Sequence, residues 1–134
     1  MDPIASSVLP LSGRRVLVVE DIYFIADDVR RTLSKAGALV VGPASSTADA
    51  IRAIDGEPID AAVLDVNLEG EMSYPVALEL ERRAIPFIFA SGYDDWAVPK
   101  EWQHVPRLEK PYNLRELPIA VAALFAPPQQ EQAG

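Results

Sequence analysis

The sequence contains no cysteine, which excludes disulfide bonds, thiol chemistry and zinc sites built from cysteine. Positive charge is also scarce, because 12 Lys and Arg residues stand against 20 Asp and Glu residues and leave a formal net charge of -8. An acidic protein of this kind repels the phosphates of nucleic acids and of anionic lipids. We therefore expect neither a nucleic acid nor a membrane to be a direct partner.

Long apolar segments are absent as well, since no stretch approaches the roughly 18 residues of a membrane span. Residues 1–12 lack the basic start and apolar run of a secretory signal, so we expect a cytoplasmic protein. The 134 residues are 49% hydrophobic, which is enough for the core of one domain. We expect that domain at residues 13–126, between disordered tails at 1–12 and 127–134.

Short apolar runs separated by helical patterns are typical of βαβ units that build a parallel sheet. The first four runs are continuous rather than alternating, as in strands that are covered on both faces. We predict an α/β fold of the (βα)₅ type, in which a doubly wound, five-stranded parallel sheet has the flavodoxin-like order 2-1-3-4-5. The predicted strands span residues 15–19, 38–42, 61–65, 86–90 and 105–109.

Apolar residues at helical spacing predict the helices between these strands. Gly37 is a plausible stop for the first helix, Ser46 or Thr47 an N-cap for the second, and Asn113 a cap for the last. Pro99 forbids a regular helix through residues 94–104, where we expect at most a short one. The predicted stripes are Ile22, Ile25, Ala26, Val29 and Leu33; Ala48, Ile51 and Ile54; Val76, Leu80 and Ala84; and Leu114, Leu117, Val121 and Leu124.

Polar residues follow the strands at the edge where ligands bind in such folds. Glu20 and Asp21 follow strand 1, Asp65 ends strand 3, Ser91 follows strand 4 and Lys110 follows strand 5. If strands 1 and 3 are neighbours, the three carboxylates crowd together, and two of them about 4 Å apart repel by about 4 kcal/mol at an effective dielectric constant near 20. The cluster therefore requires a cation, and ligands that are all oxygen favour Mg²⁺.

The remaining groups at this edge suit phosphoryl transfer, in which catalysis is mostly alignment and neutralisation of charge. Asp65 is the candidate nucleophile, because a carboxylate can form an aspartyl phosphate. Lys110 supplies a second positive charge, and Ser91 supplies a hydroxyl donor.

Residues 13–126 resemble the receiver domain of two-component response regulators. The resemblance rests on "VVED" at 18–21, "LDVN" at 64–67, "FAS" at 89–91 and "KP" at 110–111, in register with the strand and helix alternation. It implies that Asp65 accepts a phosphoryl group from the histidine of a sensor kinase or of a phosphotransfer protein. It further implies Mg²⁺ bound by Asp21, by Asp65 and by the backbone carbonyl of Asn67, with Glu20 acting through water.

The same resemblance implies that Lys110 contacts the phosphate, that Ser91 is the switch hydroxyl and that the Lys110–Pro111 bond is cis. One departure is Arg107, since receivers usually carry an aromatic residue three positions before the lysine. The stretch "PFIFASGYDD" resembles the alphaproteobacterial FATGUY subgroup, which also lacks that aromatic residue, so Gly92 and Tyr93 are candidates for the switch.

The resemblance implies a single-domain signalling protein, monomeric or weakly dimeric, that acts through protein contacts or as a phosphate sink. Its kinase would be of the HWE or a related type, and its downstream partner is unknown. Three alternatives remain open: a Toprim-like or haloacid-dehalogenase-like Mg²⁺ phosphotransferase, a degenerate receiver that binds constitutively, and an FMN protein. The acidic loop after strand 1 disfavours FMN, because a flavin phosphate requires hydroxyl and backbone donors there.

Overall fold

The computed structural model describes residues 9–92 and 98–126. A 3₁₀ turn at Lys100–Trp102 lies within the segment where Pro99 predicts at most a short helix. The elements are β1 (Arg15–Val19), α1 (Tyr23–Lys35), β2 (Leu39–Ala44), α2 (Thr47–Gly56), β3 (Ala61–Asp65), β4 (Asn67–Leu68), β5 (Glu71–Met72), α3 (Tyr74–Arg82), β6 (Phe87–Ser91), β7 (Arg107–Glu109) and α4 (Leu117–Ala123).

The main sheet is parallel and has the order β2-β1-β3-β6-β7. Because β6 and β7 are its fourth and fifth strands, this confirms the predicted order 2-1-3-4-5. Two apolar clusters cover its faces: one holds Leu17 and Leu64 with residues of α2 and α3, and the other holds Val16 and Val18 with residues of α1 and α4. All five residues of β3 and of β6 are buried, as expected for central strands.

Two predicted helix boundaries agree with the structure. The Gly37 φ of 100° and the hydrogen bond from Ala38 N to Leu33 O, 3.0 Å long, end α1 in a left-handed turn. Ser46 is the N-cap of α2, where its side chain accepts a hydrogen bond from Asp49 N.

Other boundaries differ from the prediction. The second strand runs to Ala44 and lies at the sheet edge with several exposed residues, so it is not covered on both faces. Ala84 is exposed beyond the end of α3, with a φ of 58°. The last helix begins at Leu117, because Asn113 Oδ1 accepts from Arg115 N and caps a separate turn that precedes it.

The N-terminal boundary also differs. Leu11 is 0% exposed within the cluster that packs under α1, and its backbone N donates to Ala36 O at 2.9 Å. Residues 9–12 are therefore part of the folded domain rather than of a tail. The rest of the predicted tails, 1–8 and 127–134, lies outside the described residues. In the described part of the chain, no helix has the length and apolar character needed to cross a membrane.

Candidate functional site

Three carboxylates meet at the carboxyl edge of the sheet. Glu20, Asp21 and Asp65 each offer one oxygen, and these oxygens lie within 4.8 Å of one another. The register explains this arrangement, because Val19 of β1 pairs with Leu64 of β3 and the acidic residues come directly after these positions. Glu20 and Asp65 are both 2% exposed. The sequence-based expectation that these side chains share one crevice matches the structure.

Lys110, which follows β7, contacts two of the three carboxylates. Its Nζ lies 2.6 Å from Asp65 Oδ2 and 3.0 Å from Glu20 Oε1, so one ammonium group bridges two buried carboxylates. The Lys110 backbone N donates to Ser91 O at 2.8 Å, which ties the loop after β7 to the end of β6. The Lys110–Pro111 peptide bond is cis.

Burial dominates the electrostatics of this cluster. Desolvation, with a further contribution from the charge of Asp65, raises the pKa of Glu20 to about 7. Desolvation also raises the pKa of Asp65, although hydrogen bonding to Lys110 opposes the change. Burial by itself would lower the pKa of Lys110, but its hydrogen bonds to Asp65 and Glu20 outweigh that effect and raise it. One lysine faces three clustered carboxylates, so the cluster keeps an excess of acidic groups that a proton or a further cation can compensate.

The donor set fits Mg²⁺. All the ligand atoms offered are carboxylate oxygens, and a site with a few carboxylates and room for water is what this ion prefers. Within residues 9–92 and 98–126, Glu20, Asp21 and Asp65 form the one acidic cluster tight enough to hold a metal ion.

A small hairpin after β3, which the sequence analysis did not predict, orders the acidic loop. β4 and β5 pair antiparallel, and Asn67 Oδ1 accepts from Gly70 N at 2.7 Å across the turn. Glu69 N donates to Asp21 Oδ2 at 2.9 Å, so the hairpin contacts one of the acidic residues directly. Asn67 N also donates to Asp65 Oδ1 at 3.2 Å. Gly70 was the available sequence signal, since glycine favours the left-handed backbone that the turn requires.

Two further residues of the site were missed from the sequence. The Ser73 hydroxyl, fully buried, donates to the backbone carbonyl of Asp65 at 2.5 Å and holds the strand end in place. The Tyr112 hydroxyl donates to Glu20 Oε1 at 3.4 Å, and burial raises the pKa of this phenol well above its ordinary value. The only sequence signal for Tyr112 was its position two residues after Lys110.

The predicted switch residues and the altered position Arg107 lie in different places. Ser91 is buried at the end of β6 and Gly92 follows it, next to the acidic cluster through the Lys110 backbone contact. Arg107 is exposed on β7, an edge strand of the sheet, and is not part of the cluster. Tyr93 lies outside the described residues.

Comparisons to known proteins agree with the fold. Residues 16–122 match the family described as "Response regulator receiver domain". The solution structure of SdrG from Sphingomonas melonis Fr1 has 38% sequence identity and a TM-score of 0.76, covering 85% of this chain and 98% of SdrG. A second SdrG structure, described as the BeF3-activated conformation from Pseudomonas melonis Fr1, has 36% identity and a TM-score of 0.72, covering 90% of this chain and 99% of that one.

Curated relatives include the "Transcriptional regulatory protein TcrA" of Mycobacterium tuberculosis, 33% identical over 85% of this chain and 47% of TcrA. The "Uncharacterized transcriptional regulatory protein YbdJ" of Bacillus subtilis is 29% identical over 80% of this chain and 48% of YbdJ. The chain thus spans about half the length of these two relatives. None of these matches supports the Toprim-like or dehalogenase-like alternative. The buried acidic cluster, the bridging lysine and the family match together show that the chain belongs to the response regulator receiver domain family.

Proposed function

We propose that Asp65 accepts a phosphoryl group in a Mg²⁺-dependent reaction, from the phosphohistidine of a sensor kinase or of a phosphotransfer protein. The observation that carries this proposal is the position of the Asp65 carboxylate, buried at a strand end between Lys110 and the carboxylates of Glu20 and Asp21. A carboxylate with only a packing role would not be placed among like charges, because desolvating it there is costly.

In the transfer, an Asp65 carboxylate oxygen forms a bond to phosphorus while the phosphorus–nitrogen bond of the donor imidazole breaks. The electron pair of that bond leaves with the imidazole nitrogen, and the product is an acyl phosphate on Asp65. Lys110, 2.6 Å from Asp65 Oδ2, places a positive charge where the oxygens of the phosphoryl group arrive. Asn67 N of the hairpin donates to the Asp65 carboxylate and the Ser73 hydroxyl donates to the Asp65 backbone carbonyl, so the nucleophile is oriented before the donor binds.

Asp21, Asp65 and the backbone carbonyl of Asn67 would hold the Mg²⁺ ion, with Glu20 acting through water. When bound, Mg²⁺ neutralises negative charge on the phosphoryl oxygens as a Lewis acid. The contact from Glu69 N to Asp21 Oδ2 supports this assignment, because it fixes the orientation of one ligand without using both of its oxygens.

For the conformational response, we propose that Ser91, Gly92 and Tyr93 act as the switch, as in the FATGUY subgroup. The exposed position of Arg107 supports this, since no aromatic residue stands at that place on β7 to follow the movement of the Ser91 hydroxyl. The similarity to SdrG over nearly its whole length is consistent with a protein that signals through protein contacts or serves as a phosphate sink. Under this proposal the partner is an HWE-type or related kinase, the location is the cytoplasm, and the protein is a monomer or a weak dimer.

The test is phosphorylation by acetyl phosphate or by a cognate kinase in the presence of Mg²⁺. We expect the wild type to take up as much as one phosphoryl group per chain and Asp65→Asn to take up none. Asp28→Asn is a matched control, because Asp28 is an exposed aspartate of α1 that pairs with Arg31. Equal labelling of the wild type and Asp65→Asn would refute the proposal. Turnover of a phosphate ester well beyond one equivalent would instead point to a phosphotransferase enzyme.

A further inference from the structure

Three donors surround the carboxylate of Glu20, which is buried in the acidic cluster. Its Oε2 accepts from the backbone N of Ile22 at 3.1 Å. Its Oε1 faces Lys110 Nζ at 3.0 Å and the Tyr112 hydroxyl at 3.4 Å. The first two contacts come from the loop itself and from a lysine that Glu20 shares with Asp65. The third comes from a side chain to which the sequence analysis assigned no role.

The Tyr112 ring is partly buried against one face of the core. It packs against the apolar cluster that includes Val16, Val18 and Leu117, on the face of the sheet covered by α1 and α4. Its hydroxyl therefore reaches the site from a ring that packs against this cluster. The distance of 3.4 Å is at the long end for an O–H···O contact, and the packed ring limits how far the hydroxyl can move away from the Glu20 carboxylate.

Lys110 cannot provide the same restraint throughout the reaction. Its ammonium bridges Glu20 and Asp65 in this structure, and under the proposed function it turns toward the phosphoryl oxygens once Asp65 carries them. Glu20 then retains Ile22 N and the Tyr112 hydroxyl as its donors. Partners that orient a metal ligand from outside the coordination shell contribute measurably to metal affinity.

We propose that Tyr112 is a positioning residue that holds Glu20 in the orientation needed to bind the divalent cation through water. This inference rests on the proposed function, because it assumes a cation at the acidic cluster. It assigns the restraint to the hydroxyl group, while the ring contributes to packing.

The test compares the wild type with Tyr112→Phe, which keeps the ring and removes the hydroxyl. Mn²⁺ is the probe, and its free concentration is followed by electron paramagnetic resonance. We expect the dissociation constant to rise by about tenfold, at the low end of what loss of an outer partner typically costs. Tyr23→Phe is the matched control, because Tyr23 lies next to the acidic loop and is 72% exposed. We expect Tyr23→Phe to bind Mn²⁺ like the wild type.

A double-mutant cycle with Glu20→Gln separates positioning from a general structural effect. If Tyr112 acts through Glu20, removing its hydroxyl in the Glu20→Gln background changes Mn²⁺ affinity by less than about twofold. Phosphorylation of Tyr112→Phe by acetyl phosphate should also recover the wild-type rate when Mg²⁺ is saturating. An unchanged affinity in Tyr112→Phe, or the same loss in both backgrounds, would overturn the inference and leave the proposed function standing. A wild type that binds no Mn²⁺ would overturn both.

Discussion

Lys110 Nζ lies 2.6 Å from Asp65 Oδ2, and the same ammonium group lies 3.0 Å from Glu20 Oε1. These two contacts make Lys110 a counter-charge to two carboxylates of the acidic cluster. They also place it in competition with a divalent ion for the same carboxylates. Under the proposed function, its second role is to meet the phosphoryl group on Asp65.

Replacing Lys110 with methionine should therefore have opposite effects on the affinities for Mg²⁺ and for beryllium fluoride. Two unit charges 4 Å apart interact by about 4 kcal/mol at an effective dielectric constant near 20. Protonation of the carboxylates and solvent screening reduce the part of this energy that affects binding. We expect Mg²⁺ to bind Lys110→Met about tenfold more tightly than the wild type, and beryllium fluoride to bind it at least about tenfold more weakly. Isothermal titration with each ligand measures both constants. Changes in the same direction would show that Lys110 does not compete with the cation.

The pH dependence of the free energy of unfolding should reveal the raised pKa of Glu20. Its ordinary pKa is 4.5, and burial raises the pKa to about 7 in the folded protein. Between these values the folded state binds a proton that the unfolded state has released, so the free energy of unfolding falls as pH rises through this window. The loss is complete above pH 7, and the raised pKa of Asp65 acts in the same direction.

We expect the metal-free wild type to lose about 1–3 kcal/mol of stability between pH 5 and pH 7.5 relative to Glu20→Gln. Urea unfolding in the presence of a chelator measures this difference. Mg²⁺ should restore stability at pH 7.5 more than at pH 5, because protons compete for its ligands. Parallel pH profiles for the two proteins would mean that Glu20 is ionised in the folded state across this range.

The burial of Leu11 predicts that the segment before β1 contributes to stability. Leu11→Ala should cost about 2–5 kcal/mol, because Leu11 is 0% exposed and its loss leaves a cavity in the core. Leu9→Ala is the matched control, since Leu9 is 41% exposed, and it should cost about 1 kcal/mol or less. Chemical denaturation gives both values. Equal losses of stability in the two variants would show that residues 9–12 do not contribute to the folded core.

Local sequence determined the central elements of this fold. The buried strand β3 coincides with its predicted apolar run and β6 lies one residue from its predicted position, because a strand covered on both faces needs apolar residues at nearly every position. The position of the acidic residues after strands 1 and 3 also determined where the site lies, since parallel strands all end at the same edge. The ends of the last helix and of the second strand were less predictable. They depend on a cap within a separate turn and on which strand forms the edge of the sheet.

Only the tertiary structure decided the restraints on the site. Tyr112 and Glu20 are 92 residues apart in the chain, and Glu69 and Asp21 are 48 apart. Contacts of this kind depend on strand register, on the path of the loops and on how each aromatic ring packs against the core. The spacing of neighbouring residues in the sequence specifies none of these. The sequence by itself therefore determined which chemical groups gather at the sheet edge. Packing between distant segments determined how each group is oriented, because orientation is set by the surrounding donors and not by residue type.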